Sequence, residues 1–251
     1  MMQPIVISFY SDIEGKDYYS RNAKRLMKQL DDLGIEYDIQ EKESLGDYRL
    51  NCLSKPEYIL NKMTELNRPV IWLDIDSRVH KKLEAFSNID PSVDVVFSSS
   101  TKEQIDEISN QEQAAFIPDD FKLKMLINGM KASPLYFGNT QRSIDFIKSW
   151  RTHAISQVQS EDPRFDHEPL FSLFAHWIKA EGIRIQCVGV DYCTWPKNTT
   201  CDTVITMGLA DAETKKEKLR EMGLEEQLIE WQSGGDKEHE GDNGSLDGYL
   251  Q

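Results

Sequence analysis

The sequence has no apolar run approaching the roughly 18 to 20 residues that a membrane-spanning helix requires. Its N-terminus, MMQPIVISFYS, has no basic region ahead of a short apolar stretch, so no secretory leader is expected. Positive charge is scarce: 29 Lys and Arg stand against 43 Asp and Glu, a formal net charge of -14. Nucleic acid and anionic membrane surfaces are therefore not expected partners, because both are attracted by a basic face. The four cysteines, Cys52, Cys187, Cys193 and Cys201, form no CxxC pair and show no zinc-knuckle spacing. Reduced thiols in a cytoplasmic protein are the expectation. Also missing are a GxSxG elbow, a GxxxxGK[ST] loop, a GxGxxG after the first apolar run and an HExxH pair.

What is present suffices for a core, since 39% of the 251 residues are hydrophobic and 10% aromatic. PIVISFYS (4–11) reads as a buried first strand, and residues 18–33 carry Tyr19, Ala23, Leu26, Met27 and Leu30 at helical spacing, closed by Gly34. A second strand (35–41) and a second helix (55–66, with Pro56 in its first turn) follow. VIWLDID (70–76) is expected as a third strand, SRVHKKLEAF as a short helix capped by Ser77, and residues 92–100 as a fourth strand. This alternation predicts an α/β fold with a mostly parallel central sheet flanked by helices. Residues 101–125 read as a loop with one helical turn, able to act as a flap. Residues 125–139 read as two short strands around Gly129 and Pro134. Helices are expected over 140–158 and 168–180, a strand over 183–190, and a charged helix over 211–232. His153 and His176 are expected in packing or surface roles; Trp72, Trp150 and Trp177 belong to the core or its edge, whereas Trp195 could stack on a sugar. The acidic, Gly-rich segment 233–251 is expected to be a disordered tail.

The chemistry concentrates in VIWLDIDSRV (70–79), where four apolar residues end in Asp74 and Asp76. On an extended segment residues i and i+2 share a side, and the carboxyl end of a parallel strand is where open α/β sheets bind ligands. Two hard carboxylates there suit Mg²⁺ or Mn²⁺ on a nucleotide diphosphate. A strand end capped for the next helix is the alternative. Spacing alone does not separate the two, because Glu36/Asp38, Glu41/Glu43 and Glu238/Glu240 repeat it. The position after a buried strand favours a cation, since unpaired carboxylates are costly there.

The run NCLSKPEYILNKMTELNRPVIWLDIDSRV resembles the nucleotide-sugar-binding half of GT-A fold glycosyltransferases, with a Lys-bearing helix ahead of a strand ending in Asp-x-Asp. PLYFGNTQRSIDFIKSW resembles their acceptor-side segment, and DHEPLF is similar to the acidic turn that opens the next helix. The resemblance implies one GT-A (Rossmann-like) domain over 1–232, with a nucleotide-sugar half at 1–100 and an acceptor half at 125–210. It implies a metal-dependent transferase moving a sugar from a UDP- or GDP-sugar to a glycan or other hydroxyl acceptor, in glycan or polysaccharide synthesis. Asp74 and Asp76 would hold Mn²⁺ or Mg²⁺. Ser8, Phe9, Tyr10, Arg49, Lys55 and Asp74 would bind the nucleotide. Gly138, Asn139 and His167 would face the acceptor or sugar, with Asp166 as catalytic base or, equally, a helix cap.

One position departs from the family pattern. Many of these enzymes take a third metal ligand from a histidine before a glycine, where TVITMG offers Met207, a poor ligand for a hard cation. Lys215, Lys216 or Arg220 could neutralise phosphate or form a solvated face. Two rivals remain at this level. A phosphohydrolase similar to the haloacid dehalogenase superfamily also places Asp-x-Asp after a strand, but Arg78 stands where a small residue is wanted and only Asp191 is present where an acidic pair should be. A noncatalytic nucleotide- or partner-binding module is the other.

Overall fold

The structure is a computed structural model, which describes residues 2–12, 17–46, 48–110, 119–159 and 167–207. The expected helix 211–232, Lys215, Lys216, Arg220 and the segment 233–251 lie outside the described residues, as does the stretch 111–118 within the proposed flap.

Strands β1 (Ile5–Tyr10), β2 (Tyr37–Glu41), β3 (Val70–Trp72), β5 (Val95–Ser99), β6 (Met130–Phe137) and β7 (Ile185–Val188) form one six-stranded sheet in the order β2-β1-β3-β6-β5-β7. A second, two-stranded sheet pairs β4 (Arg78–Val79) with β8 (Ile205–Thr206). In the large sheet β1 pairs in parallel with β2 and β3, and β5 with β7, while β6 runs antiparallel to both β3 and β5. All the parallel strands therefore end at one edge, where β6 begins.

Alternation along the strands distributes the core over both sheet faces. Ile5, Ile7, Val70, Trp72, Val95, Phe97, Leu135 and Phe137 pack on one face against α3 (Lys55–Leu66), α7 (Gln141–Val158) and α8 (His167–His176). Val6, Ile71, Leu73, Val96 and Tyr136 pack on the other, against α1 (Tyr18–Leu33) and α4 (Glu84–Ser87). Each large apolar side chain so buried contributes about 1.5–3 kcal/mol. Trp150 is fully buried, Trp72 nearly so and Trp177 packs at the core edge; His153 and His176 are exposed.

Local signals hold well for the helices. The segment α1 spans the expected residues and closes at Gly34 with φ 65°, a conformation that favours glycine. Thr140 caps α7 by accepting the Ser143 N–H at 3.1 Å. Four expectations fail. The helix expected over SRVHKKLEAF is present only at its end, in α4, while Arg78–Val79 form strand β4, because Val79 pairs with Ile205 far along the chain. Residues 102–109 and 119–128 form α5 and α6 rather than loop. A single strand, β6, runs through Pro134 where two were expected, and its partners β3 and β5 lie on either side. Finally, β3 stops at Trp72, since the Asp74 N–H turns to the Ser133 hydroxyl (2.9 Å) instead of continuing the ladder.

Candidate active site

The common end of the parallel strands gathers Ser8 to Tyr10 from β1, Asp74 to Ser77 after β3, Met130 to Ser133 from β6 and Ser98 to Ser99 from β5. Asp74 and Asp76 do not alternate along a strand. They belong to a turn in which the Asp74 carbonyl accepts the Ser77 N–H at 2.9 Å. The two carboxylates differ accordingly: the Asp74 side chain is 41% exposed, accessible to a ligand, while Asp76 is 7% exposed.

Asp74 is fixed on three sides. Lys55 Nζ donates to Oδ1 at 3.0 Å, the Trp72 indole N–H donates to the same oxygen at 2.9 Å, and Ser133 holds the backbone N–H. Lys55 reaches it because Pro56 starts α3 behind the sheet edge, with Lys55 buried at its first residue and its ammonium 5.3 Å from the Trp72 ring. A buried ammonium beside a carboxylate is charge compensation, and it orients Asp74 outward.

Arg25, from α1, donates to the Asp76 carbonyl at 3.2 Å. Burial, with neighbouring Arg78 adding to it, pulls the Arg25 guanidinium below its usual range. Arg25 Nε and the hydroxyls of Ser11 and Ser77 are buried without a hydrogen-bond partner among the described residues. Such groups are costly unless a ligand or water meets them.

Beside β1, the rings of Phe9, Tyr58 and Trp72 pack in a triangle with centroids 5.1, 5.5 and 6.1 Å apart. Tyr58 donates its hydroxyl to the Ser8 carbonyl at 2.9 Å, and the Ser8 hydroxyl donates to the Leu73 carbonyl at 2.6 Å, tying α3, β1 and the strand end together. Lys42, directly after β2, lies 4.7 Å from the Phe9 centroid and 5.5 Å from that of Tyr58. Burial lowers its pKa; its backbone N–H donates to the Tyr10 carbonyl at 2.8 Å. Sequence reasoning passed over Lys42, Arg25 and Ser133. The only local signal was for Lys42, which follows a strand that ends alongside Tyr10.

Of the residues expected at the site, Ser8, Phe9, Tyr10, Lys55, Asp74 and Asp76 come together at this edge. The backbone of Arg49 lies in α2 (Tyr48–Leu53), and that of His167 opens α8; their side chains are outside the described residues, as is all of Asp166. Gly138 and Asn139 are not brought to this edge. Because β6 is antiparallel to β3, Phe137 pairs with Val70, and Gly138 follows it at the opposite end of the sheet. There a Cβ on Gly138 would stand 2.4 Å from the Val93 carbonyl, so the glycine permits a close backbone approach. Continuing the register of β4 and β8 places Met207 across from Ser77, with its N–H donating to the Thr194 carbonyl at 2.9 Å.

The donor set is two hard carboxylates, which fit Mn²⁺ or Mg²⁺ only if ligand and water oxygens complete the shell. No group of three or more His, Cys, Asp or Glu able to hold a metal occurs among the described residues. Cysteine nucleophiles do not compete: none of the four forms a disulfide, and burial pushes the Cys187 thiol up to about 12 and that of Cys193 to about 11.

No family model and no curated protein matches the sequence. Among solved structures, the chain is similar to a glycosyltransferase involved in the glycosylation of the major capsid of PBCV-1, with a TM-score of 0.56 at 12% identity, over 86% of this chain and 99% of that one. The fold is GT-A. More distant similarity, at a TM-score of 0.45, links it to the glycosyltransferase GlyE of Streptococcus pneumoniae TIGR4 (12% identity, 93% of this chain and 64% of that longer one). The galactosyltransferase LgtC in complex with donor and acceptor sugar analogues is equally distant (TM-score 0.45, 15% identity, 92% of this chain and 99% of that one). The turn carrying Asp74 and Asp76 follows β3 at the carboxyl ends of the parallel strands, the edge at which open α/β sheets in general bind ligands. No helix among the described residues is long and apolar enough to cross a membrane.

Proposed function

We propose that the protein is a metal-dependent glycosyltransferase that moves a sugar from a nucleotide-diphosphate sugar to a hydroxyl acceptor, in glycan or polysaccharide synthesis. The observation that carries this reading is the position of Asp74 and Asp76 at the ligand edge of a GT-A fold, with Lys55 and Trp72 orienting the first carboxylate. A UDP- or GDP-sugar would lie across the ends of β1 and β3, its base and ribose near Ser8, Phe9 and Tyr10 and the ring triangle behind them. Lys42 and Arg49 would add positive charge on the same side.

Asp74 and Asp76 would hold Mn²⁺ or Mg²⁺ against the diphosphate. The chemistry that such an ion supplies when bound is neutralisation of the charge on the departing nucleoside diphosphate. The chain's own contribution is positioning. Lys55 and the Trp72 indole fix the Asp74 carboxylate, Arg25 and Ser133 hold the backbone on either side, and the acceptor is oriented for attack. Asp166 would deprotonate the acceptor hydroxyl, with His167 beside it. A cytoplasmic site of action suits cysteines that form no disulfide.

Thermal stabilisation by UDP, GDP and CDP, each with and without Mn²⁺, tests the reading. Stabilisation by one diphosphate that requires the metal, followed by release of that diphosphate from the matching sugar nucleotide, supports it. Absence of any nucleotide effect, with Asp74→Asn silent in every assay, would overturn it in favour of a noncatalytic module.

A further inference from the structure

The segment that carries the two carboxylates leans on α1 through apolar contact: Ile75 and Val79 are buried in the same core as Ala23, Leu26 and Leu30. Two polar side chains of the same helix join them. Arg25 Nη2 donates to the Asp76 carbonyl and Gln29 Oε1 accepts the Val79 N–H, each at 3.2 Å. Residues four apart on a helix share a face, so the pair brackets Asp76–Val79 from both ends. From the other side, the Ser133 hydroxyl of β6 accepts the Asp74 N–H at 2.9 Å.

The bond to Gln29 meets a group that β8 leaves over. In the antiparallel pair of β4 and β8, the His80 N–H donates to the Val204 carbonyl, so the N–H of Val79, one residue earlier, points away from β8. Gln29 receives it there.

For Arg25 the position is costly to the fold. Its Nε is buried with no hydrogen-bond partner among the described residues. Burial, and then the like charge of Arg78, draws its pKa down against the opposing pull of Asp76. A methionine would cover the same part of the helix without either penalty. Side chains that break local rules in this way cluster at functional sites, and the group that Arg25 touches belongs to one of the two carboxylate residues. Asp76 is 7% exposed, so its side chain has little room to turn and its direction follows its backbone.

We infer that Arg25 and Gln29 are positioning residues for Asp76: from one turn of α1 they hold the backbone on either side of Ser77 and Arg78 and thereby aim the Asp76 carboxylate at the cation. This deepens the glycosyltransferase reading and rests on its assignment of Asp74 and Asp76 as cation ligands. It also gives α1, which carries none of the residues expected at the site, a part in it.

Calorimetric binding of UDP and of GDP over a series of Mn²⁺ concentrations tests the inference without a transfer assay. The wild-type chain is compared with Arg25→Met, Arg25→Lys and Gln29→Leu, and melting temperatures are read on the same samples without metal. Arg25→Met should raise the Mn²⁺ concentration at half-maximal nucleotide binding by about 10- to 100-fold, the range for groups that orient a metal ligand. Its melting temperature should hold or rise, since a half-buried charge is removed. Arg25→Lys keeps a donor for the carbonyl and should recover part of the affinity. Gln29→Leu tests the other end independently: it should raise the Mn²⁺ midpoint too, and lower the melting temperature by leaving the Val79 N–H unpaired. An unchanged Mn²⁺ midpoint in both Arg25→Met and Gln29→Leu overturns the inference and leaves the cation reading standing. So does a lower midpoint in Arg25→Met, which would show that Arg25 only repels the cation. If binding of neither diphosphate by the wild type depends on Mn²⁺, the cation reading falls and takes the inference with it.

Discussion

Lys55 and Asp74, 19 residues apart in sequence, meet with 3.0 Å between Nζ and Oδ1, and the lysine is the buried partner while the carboxylate reaches solvent. The asymmetry predicts different costs for the two substitutions. Lys55→Met removes a buried charge together with its desolvation, so the fold should change by no more than about 1 kcal/mol. Metal-dependent nucleotide binding should fall, because Asp74 then keeps only the Trp72 indole as a side-chain donor. Urea unfolding, together with nucleotide thermal shifts, checks both halves.

Asp76→Asn keeps the shape of the turn but removes one of two carboxylates. The expected result is a loss of transfer activity on the order of 10²–10³-fold, comparable to removing one electrostatic stabiliser from an active site. Chelation with EDTA should reproduce the loss in the wild type and add little in the variant. A melting temperature unchanged in the variant would show that the effect is not one of folding.

Gly138→Ala separates fold from site. The added methyl meets the Val93 carbonyl at 2.4 Å, so backbone must shift, at a cost of about 1–3 kcal/mol. Because Gly138 lies at the sheet end away from Asp74, activity per folded molecule should be retained. Denaturant midpoint and specific activity, measured on the same preparation, decide this.

His80 ties the second sheet together through Nε2 and the Thr206 hydroxyl at 2.8 Å. Burial, and then the charge of Arg78, lowers its pKa below the ordinary 6.5. The folded state thus binds a proton less readily than the unfolded chain, so stability rises with pH through the interval below about 6.5 and falls on acidification. Melting temperatures should drop more between pH 7.5 and 5.5 for the wild type than for His80→Gln. Equal slopes would remove His80 as the source.

The main helices were legible because their signals are local: the apolar stripe of α1, Gly34 at its end, Pro56 in the first turn of α3 and Thr140 before α7. The same locality misled at Arg78 and Val79, where charge and short apolar spacing read as helix although Val79 had a strand partner at Ile205. In α5 the apolar face is slight, with Ile105 buried among polar neighbours, so periodicity gave little signal.

By itself the sequence determined that strands and helices alternate and that two carboxylates close a buried strand, because burial patterns and chain order are written residue by residue. Only the tertiary structure decided what those carboxylates meet. Lys55 and Ser133 reach Asp74 from 19 and 59 residues away, and Arg25 reaches Asp76 across 51. Reversal of one strand, β6, places Gly138 and Asn139 at the opposite end of the sheet and brings Ser133 to Asp74 instead. Strand direction follows from which partners compete for the centre of the sheet, a choice made by contacts distant in sequence rather than by the residues of the strand alone.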